Sequence, residues 1–334
     1  MLYNRLPEAA RPWAIPNFSC PLRRALAVTA NPCASRLAAC HLTRRTWLSR
    51  AGIGAAALTL RPLLGASNLI AQEPRVSARL PGSLSDAEEV ALGRRFAAEY
   101  ERETPLLSNP LIDQHLNAMA RELANHSQRP RLPYRVKVVN SSEVNASSIP
   151  GGTLYVYRGM LDLLATEDEL AAVLAHEIGH VAGRHAIKQL MLTFQAQALL
   201  KPILDNLNKQ NGIVEKIILQ LGGAAALLAR LNFNRQDETQ ADLLGFYEVL
   251  RAGWDPRGYV KMLAALETLE RSQGGTSLPF MSSHPPTSER FAAIQQELAR
   301  VKIPEDARTD SLDFRACKAA LKLLPPPPRS YQPQ

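Results

Sequence analysis

The segment His176-Glu177-Ile178-Gly179-His180 constrains this 334-residue chain more than any other feature. It follows Thr166-Glu167-Asp168-Glu169, a capping-box pattern that predicts a helix start, and the apolar run Leu170 to Ala175. On an α-helix, positions i and i+4 lie on one face about one turn apart, so both imidazoles can reach one metal ion. Glu177, directly after the first histidine, then stands beside that metal and can take a proton from its bound water. The plainer alternative is that the two histidines line a packed or solvated face. Placement on a capped helix favours the metal.

A catalytic zinc takes three protein ligands and keeps one position open. Downstream, the run from Asn234 to Asp242 places Glu238 and Asp242 four residues apart on one helix face. One carboxylate can bind the metal while the other, a turn away, accepts a hydrogen bond from a ligand imidazole. Acidic pairs at this spacing are common on solvated helices and carry little weight alone. Together with the histidine helix, the pair completes a His, His, Glu donor set for one zinc ion per chain.

The surrounding pattern predicts an α+β domain. Ser85-Asp86-Ala87-Glu88 reads as a capping box opening a helix to about Tyr100, and Asn109-Pro110 opens another with Leu111, His115, Met119 and Leu123 along one face. Tyr134 to Val139 alternates, and Thr153 to Tyr157 is rich in β-branched and aromatic residues, so the two predict neighbouring strands. The Asn-, Ser-, Pro- and Gly-dense stretch from Asn140 to Gly152 reads as an irregular loop between them. His115 and His126 lack a partner at metal spacing and read as surface or packing residues. Residues 217–229 are apolar but contain Gly222-Gly223; a buried helix is the first reading and peripheral membrane contact the lesser one. From Leu324 the prolines predict an extended tail.

Charge and cysteine usage both set the start of the chain apart. The formal net charge is +8, yet residues 1–67 hold nine arginines, no lysine and a single acid, Glu8. The remainder carries equal numbers of basic and acidic residues, so the basic balance is no argument for nucleic-acid binding, which needs a basic face on the folded domain. Cys20, Cys33 and Cys40 also lie in this leader, leaving only Cys317 afterwards and excluding a cysteine-based zinc site. Thr43-Arg44-Arg45-Thr46-Trp47-Leu48 precedes a ten-residue apolar run, Ala51 to Leu60, too short to span a bilayer. It resembles a twin-arginine export signal, with small residues at Gly65-Ala66-Ser67 for cleavage.

His176-Glu177-Ile178-Gly179-His180 followed by Arg235-x-x-Glu238-x-x-Ala241-Asp242 resembles the HtpX and CAAX-prenyl-protease family of gluzincin zinc metallopeptidases, in its soluble periplasmic, BepA-like branch. Asn145-Ala146 leading to Pro150-Gly151-Gly152, the segment Tyr155 to Leu161, and Ser283-His284-Pro285-Pro286 with Arg290 also match. Asn234 stands where the family usually has serine, and no TPR repeats follow, so no TPR-mediated partner is implied.

The resemblance implies a mainly helical zincin-type domain over residues 85–305, with a small β-sheet beside the histidine helix. A leader (1–67) and linker (68–84) precede it and a tail (306–334) follows. It implies that Asp242 supports a ligand imidazole from behind and that His284 lies near the metal. His284 would be either a fourth donor that blocks the water position or a donor to the oxyanion. His185 is read as off the metal face. Extended substrate would pair with an edge strand near Asn145 to Ser148, with Asn145 and Ala146 as substrate-binding residues. The implied activity is an exported, zinc-dependent metalloendopeptidase of the periplasm or cell envelope, acting with Glu177 on unfolded or misassembled polypeptides in protein quality control. A zinc-binding chaperone or adaptor without turnover is the alternative.

Overall fold

The computed structural model describes residues 84–193, 233–274 and 277–327. The expected leader, its export signal and the apolar run at 217–229 lie outside these residues.

The first helix, α1 (Asp86–Glu103), opens on the expected reciprocal box between Ser85 and Glu88. Next come β1 (Leu106–Leu107) and α2 (Pro110–Ala124), whose cap Asn109 accepts from the amides of Leu111 and Ile112. The buried face of α2 differs from expectation. Ile112, Leu116, Met119, Ala120 and Leu123 are buried, whereas Leu111 is 44% exposed. Two overlapping i, i+4 rows exist on this helix; the one through Ile112, Leu116 and Ala120 is entirely apolar and lies inside. His115 sits at its edge, 3.0 Å from Glu167 and away from the metal-binding candidates.

The expected strands are β2 (Arg135–Val139) and β4 (Thr153–Tyr157), and they pair in parallel, with Val136 opposite Leu154. The loop expected between them contains a further strand, β3 (Ala146–Ile149), antiparallel to β4. Small polar residues on a strand that is half covered concealed it: Ala146, Ser148 and Ile149 are buried, Ser147 less so. Gly151 and Gly152, with φ of 82° and 100°, form the reversal from β3 to β4, a conformation that L side chains rarely adopt. The sheet order is β1-β2-β4-β3, which leaves β3 as an edge.

After the short α3 (Arg158–Leu163), α4 (Glu167–Ala182) runs through the centre of the fold, and all of its residues are buried. It packs on α2, on β3 and β4, and on α6 (Arg235–Arg251) and α7 (Gly258–Ser272). A helix buried on every side, with an apolar middle from Leu170 to Ala175, is stable only in such surroundings. Its acidic first turn is neutralised locally: Lys261 lies 2.6 Å from Asp168, and Glu169 accepts from the amide of Ala165 at 2.6 Å. The expected capping box at Thr166 is not formed, because Glu169 accepts from the amide of Ala165 and not from that of Thr166. The Thr166 hydroxyl donates to Asp168 instead of accepting from the backbone.

Helix α5 (His185–Thr193) follows α4 directly, and α8 (Pro279–Ser283) and α9 (Ser288–Arg300) follow α7. Part of the segment read as a tail is folded. Helix α10 (Leu312–Leu323) buries Phe314, Cys317 and Leu321 and packs on α2 and α3. The C-terminal ends of α10 and α3 are tied reciprocally: Arg158 of α3 donates to the carbonyls of Leu321 and Leu324, while Lys318 of α10 donates to those of Asp162 and Leu164. These bonds satisfy last-turn carbonyls that a helix cannot satisfy itself.

Candidate metal centre

Gly179, between the two histidines, is what lets α6 lie against α4. A Cβ there would come within 2.6 Å of the carbonyl oxygen of Ala241 and 3.0 Å of its Cα. That close approach places Glu238, one turn into α6, opposite His176 and His180. Asn234 caps α6 by accepting from the amide of Asp237 at 2.9 Å, so asparagine serves there as well as the expected serine. The chain then returns through α8 to deliver His284, whose amide bonds to the carbonyl of Phe280 at 2.8 Å.

His176, His180, Glu238 and His284 each offer one ligand atom, and these atoms all lie within 4.8 Å of one another, all buried. His180 Nε2 stands 3.0 Å from His176 Nε2 and 3.3 Å from Glu238 Oε1. His284 Nδ1 stands 3.2 Å from His176 Nε2 and 2.9 Å from Glu238 Oε1. Two nitrogens on a tetrahedral zinc are about 3.3 Å apart, given Zn–N bonds near 2.0–2.1 Å. The donor set, its spacing and its burial therefore fit a divalent metal that takes nitrogen and oxygen ligands.

The charges around the cluster are balanced from behind. His176 Nδ1 bonds to Asp242 Oδ1 at 2.9 Å. Arg290, 1% exposed, donates to both Asp242 oxygens at 2.6 and 2.8 Å and to the carbonyls of His284 and Pro285 at 3.1 Å. It also lies 2.9 Å from Glu238 Oε2. Burial pushes the Asp242 carboxyl up, but Arg290 outweighs it and holds the group below its ordinary range. Burial likewise opposes ionisation of Glu238, and the adjoining His284 and His180 rings override it downward. Burial dominates at His180 and lowers its pKa well below the usual imidazole value, which keeps it neutral as a metal ligand must be. At His284 the balance reverses: burial lowers the pKa, and the Glu238 and Glu177 carboxylates more than restore it.

Glu177 is fully buried, and among the described residues neither of its carboxylate oxygens has a hydrogen-bond partner. A carboxylate in that condition needs a ligand, a water or a proton. Its Oε1 lies 3.6 Å from His284 Nε2. Asn145 and Ala146 lie at the start of the β3 edge. The Asn145 carbonyl accepts from Tyr157 at 3.0 Å, its side chain accepts from the amide of Ala146 at 2.9 Å, and Ala146 is fully buried. By the alternation of antiparallel pairing, Ala146 and Ser148 turn their backbone groups to the outer edge.

Three neighbours of the cluster were not singled out from sequence. Phe233 packs on His180 with ring centroids 4.2 Å apart, Phe280 packs on His284 at 4.7 Å, and Gln240 bonds to His185 at 2.9 Å. An aromatic residue at a distant point of the chain carries no periodic signal for such a contact. His185 is off the metal, as expected, yet it touches a metal-binding candidate: its Nδ1 is 3.0 Å from His180 Nδ1. Arg184, at φ 56°, ends α4 and turns α5 so that His185 faces back.

Two helical imidazoles one turn apart, completed by a glutamate from a second helix, make up the donor set of a metallopeptidase. The model of Peptidase family M48 matches residues 110–298, and the chain belongs to that family. It is 27% identical over 232 residues to the beta-barrel assembly-enhancing protease of Escherichia coli K12, covering 66% of this chain and 45% of that protein. Similarity to metalloprotease YcaL of the same organism is 28% over 222 residues, covering 66% and 84%. The mitochondrial metalloendopeptidase OMA1 of Schizosaccharomyces pombe is 30% identical over 175 residues, 52% of this chain and 50% of that protein. The chain thus spans less than half the length of the beta-barrel assembly-enhancing protease.

Proposed function

We propose that this protein is a zinc metalloendopeptidase that hydrolyses peptide bonds in unfolded or misassembled polypeptides of the cell envelope. The observation that carries the reading is the buried His176, His180 and Glu238 cluster with the unpartnered Glu177 carboxylate beside it. His176, His180 and Glu238 would hold one zinc ion. That ion, when bound, supplies Lewis-acid polarisation of a carbonyl and acidifies a water. Glu177 accepts the proton from the attacking water and passes it to the leaving amine, which suits a carboxylate with both oxygens uncommitted. Asp242 holds His176 in the tautomer whose Nε2 faces the cluster, and Arg290 keeps Asp242 ionised.

Substrate binding along β3 is supported by its position as the sheet edge nearest α4. An extended chain adding to β3 would meet the carbonyl of Ala146 and the backbone groups of Ser148, the Ala146 amide being held by the Asn145 side chain, and main-chain pairing demands no particular side chain. Breadth towards unfolded segments follows. The envelope role is supported by the resemblance to an enzyme named for β-barrel assembly and by the twin-arginine-like leader. Among the described residues no helix is long and apolar enough to cross a membrane.

His284 favours a second reading. As a fourth donor it would close the coordination shell, as structural zinc sites do, and leave a zinc-binding chaperone or adaptor without turnover. Casein cleavage by zinc-loaded wild type, Glu177→Gln and His284→Ala separates the two. Hydrolysis by wild type or by His284→Ala, together with its loss by about 10²-fold or more in Glu177→Gln, supports the enzyme. Zinc binding with no hydrolysis in any form supports the adaptor.

A further inference from the structure

We propose that His185 and Gln240 form a positioning chain that fixes the tautomer of His180, so that its Nε2 lone pair faces the metal. The two candidate ligand imidazoles are supported differently. Behind His176 stands a carboxylate, Asp242, which can only accept and so requires a proton on His176 Nδ1. Behind His180 stands another imidazole, which can do either.

Gln240 resolves the choice. Its Oε1, an acceptor only, lies 2.9 Å from His185 Nε2, and a second acceptor, Asp237 Oδ1, lies 3.9 Å from the same nitrogen. His185 Nε2 therefore carries the proton. A neutral imidazole has one N–H, so His185 Nδ1 accepts, and its partner at 3.0 Å, His180 Nδ1, donates. That leaves His180 Nε2 unprotonated, 3.0 Å from His176 Nε2 and 3.3 Å from Glu238 Oε1. Lys188 holds Asp237 from outside at 2.7 Å, which completes the chain from surface to centre. His185 is 1% exposed, so bulk solvent does not reach its contact with His180. Partners behind ligand imidazoles commonly contribute about 10–100-fold in metal affinity.

The proposal rests on His180 being a metal ligand, and the test separates the two ideas. Zinc dissociation constants are measured by chelator competition for full-length wild type, His185→Ala, His185→Asn and Gln240→Met, each checked for folding by thermal melting. The expected result is weaker binding by about 10–100-fold for His185→Ala and near-wild-type binding for His185→Asn. An asparagine Oδ1 falls close to the position of His185 Nδ1 and can accept from His180. Should His185→Ala not fold, Gln240→Met carries the test, with weakened binding expected. Nitrogen-15 spectra of histidine-labelled, zinc-free wild type should show His185 protonated at Nε2 and His180 at Nδ1. Equal zinc affinity in wild type, the folded alanine variant and Gln240→Met overturns the chain, as does His185 protonated at Nδ1. Wild-type protein that binds no zinc refutes the metal site itself, and the nitrogen spectra then still decide the tautomers.

Discussion

Arg290→Met removes a guanidinium and keeps most of the side-chain volume. The residue is 1% exposed, and its loss leaves Asp242, also buried, with the His176 N–H as its remaining partner and two carbonyls without a donor. Breaking a buried ion pair by deleting one member costs about 3–5 kcal/mol. For a folded unit of this size that is a fall in melting temperature of roughly 6–20 °C. The sign of the pH dependence follows from Asp242. In the wild type Arg290 holds its pKa below the ordinary value, so its contribution is present above the unfolded pKa of about 3.9 and lost as pH falls through the folded value. In the variant burial acts without the guanidinium and the folded pKa rises. The deficit is then full near neutral pH and shrinks as acid protonates Asp242. Urea unfolding of the metal-free chain, followed from about pH 7 to about pH 4, measures both effects. Adding Asp242→Leu should recover much of the stability, because removing both partners is far milder than removing one. A loss below about 1 kcal/mol, or a deficit that does not change with pH, refutes the reasoning.

Gly179→Ala drives a methyl group into the Ala241 carbonyl and should cost about 1–3 kcal/mol, with zinc affinity falling because Glu238 is displaced; melting and zinc titration read the two effects. Glu89→Ala removes the buried carboxylate that Arg129 and Arg184 share while both keep Asp86, a loss of about 1.5–3 kcal/mol by denaturant unfolding. Arg158→Met frees the last carbonyls of α10 and should cost about 1–3 kcal/mol, with amide exchange rising first along 312–323.

The centre was legible where chemistry and helix period coincide. His176 and His180 lie i, i+4 on one apolar helix, and Glu238 and Asp242 lie i, i+4 on α6, so spacing alone placed each pair on one face. What lay behind them was not legible. His185 reaches His180 only because Arg184 takes a left-handed conformation, and Phe233 and Phe280 meet the histidine rings through tertiary folding alone. In the residue pattern strand β3 was masked by serine and asparagine, whose turn preference is overridden by pairing to β4, although an edge strand was expected there for substrate pairing. Helix α10 was hidden by the prolines that follow it, and its docking depends on Arg158 and Lys318 from opposite sides of the contact.

The most direct test of the account is the metal itself. Elemental analysis of purified full-length wild type should give one zinc per chain, and His176→Ala, His180→Ala and Glu238→Ala should each lose most of it while remaining folded. Zinc absent from the wild type, or retained in full by all three variants, would contradict the assignment of this cluster as the metal centre.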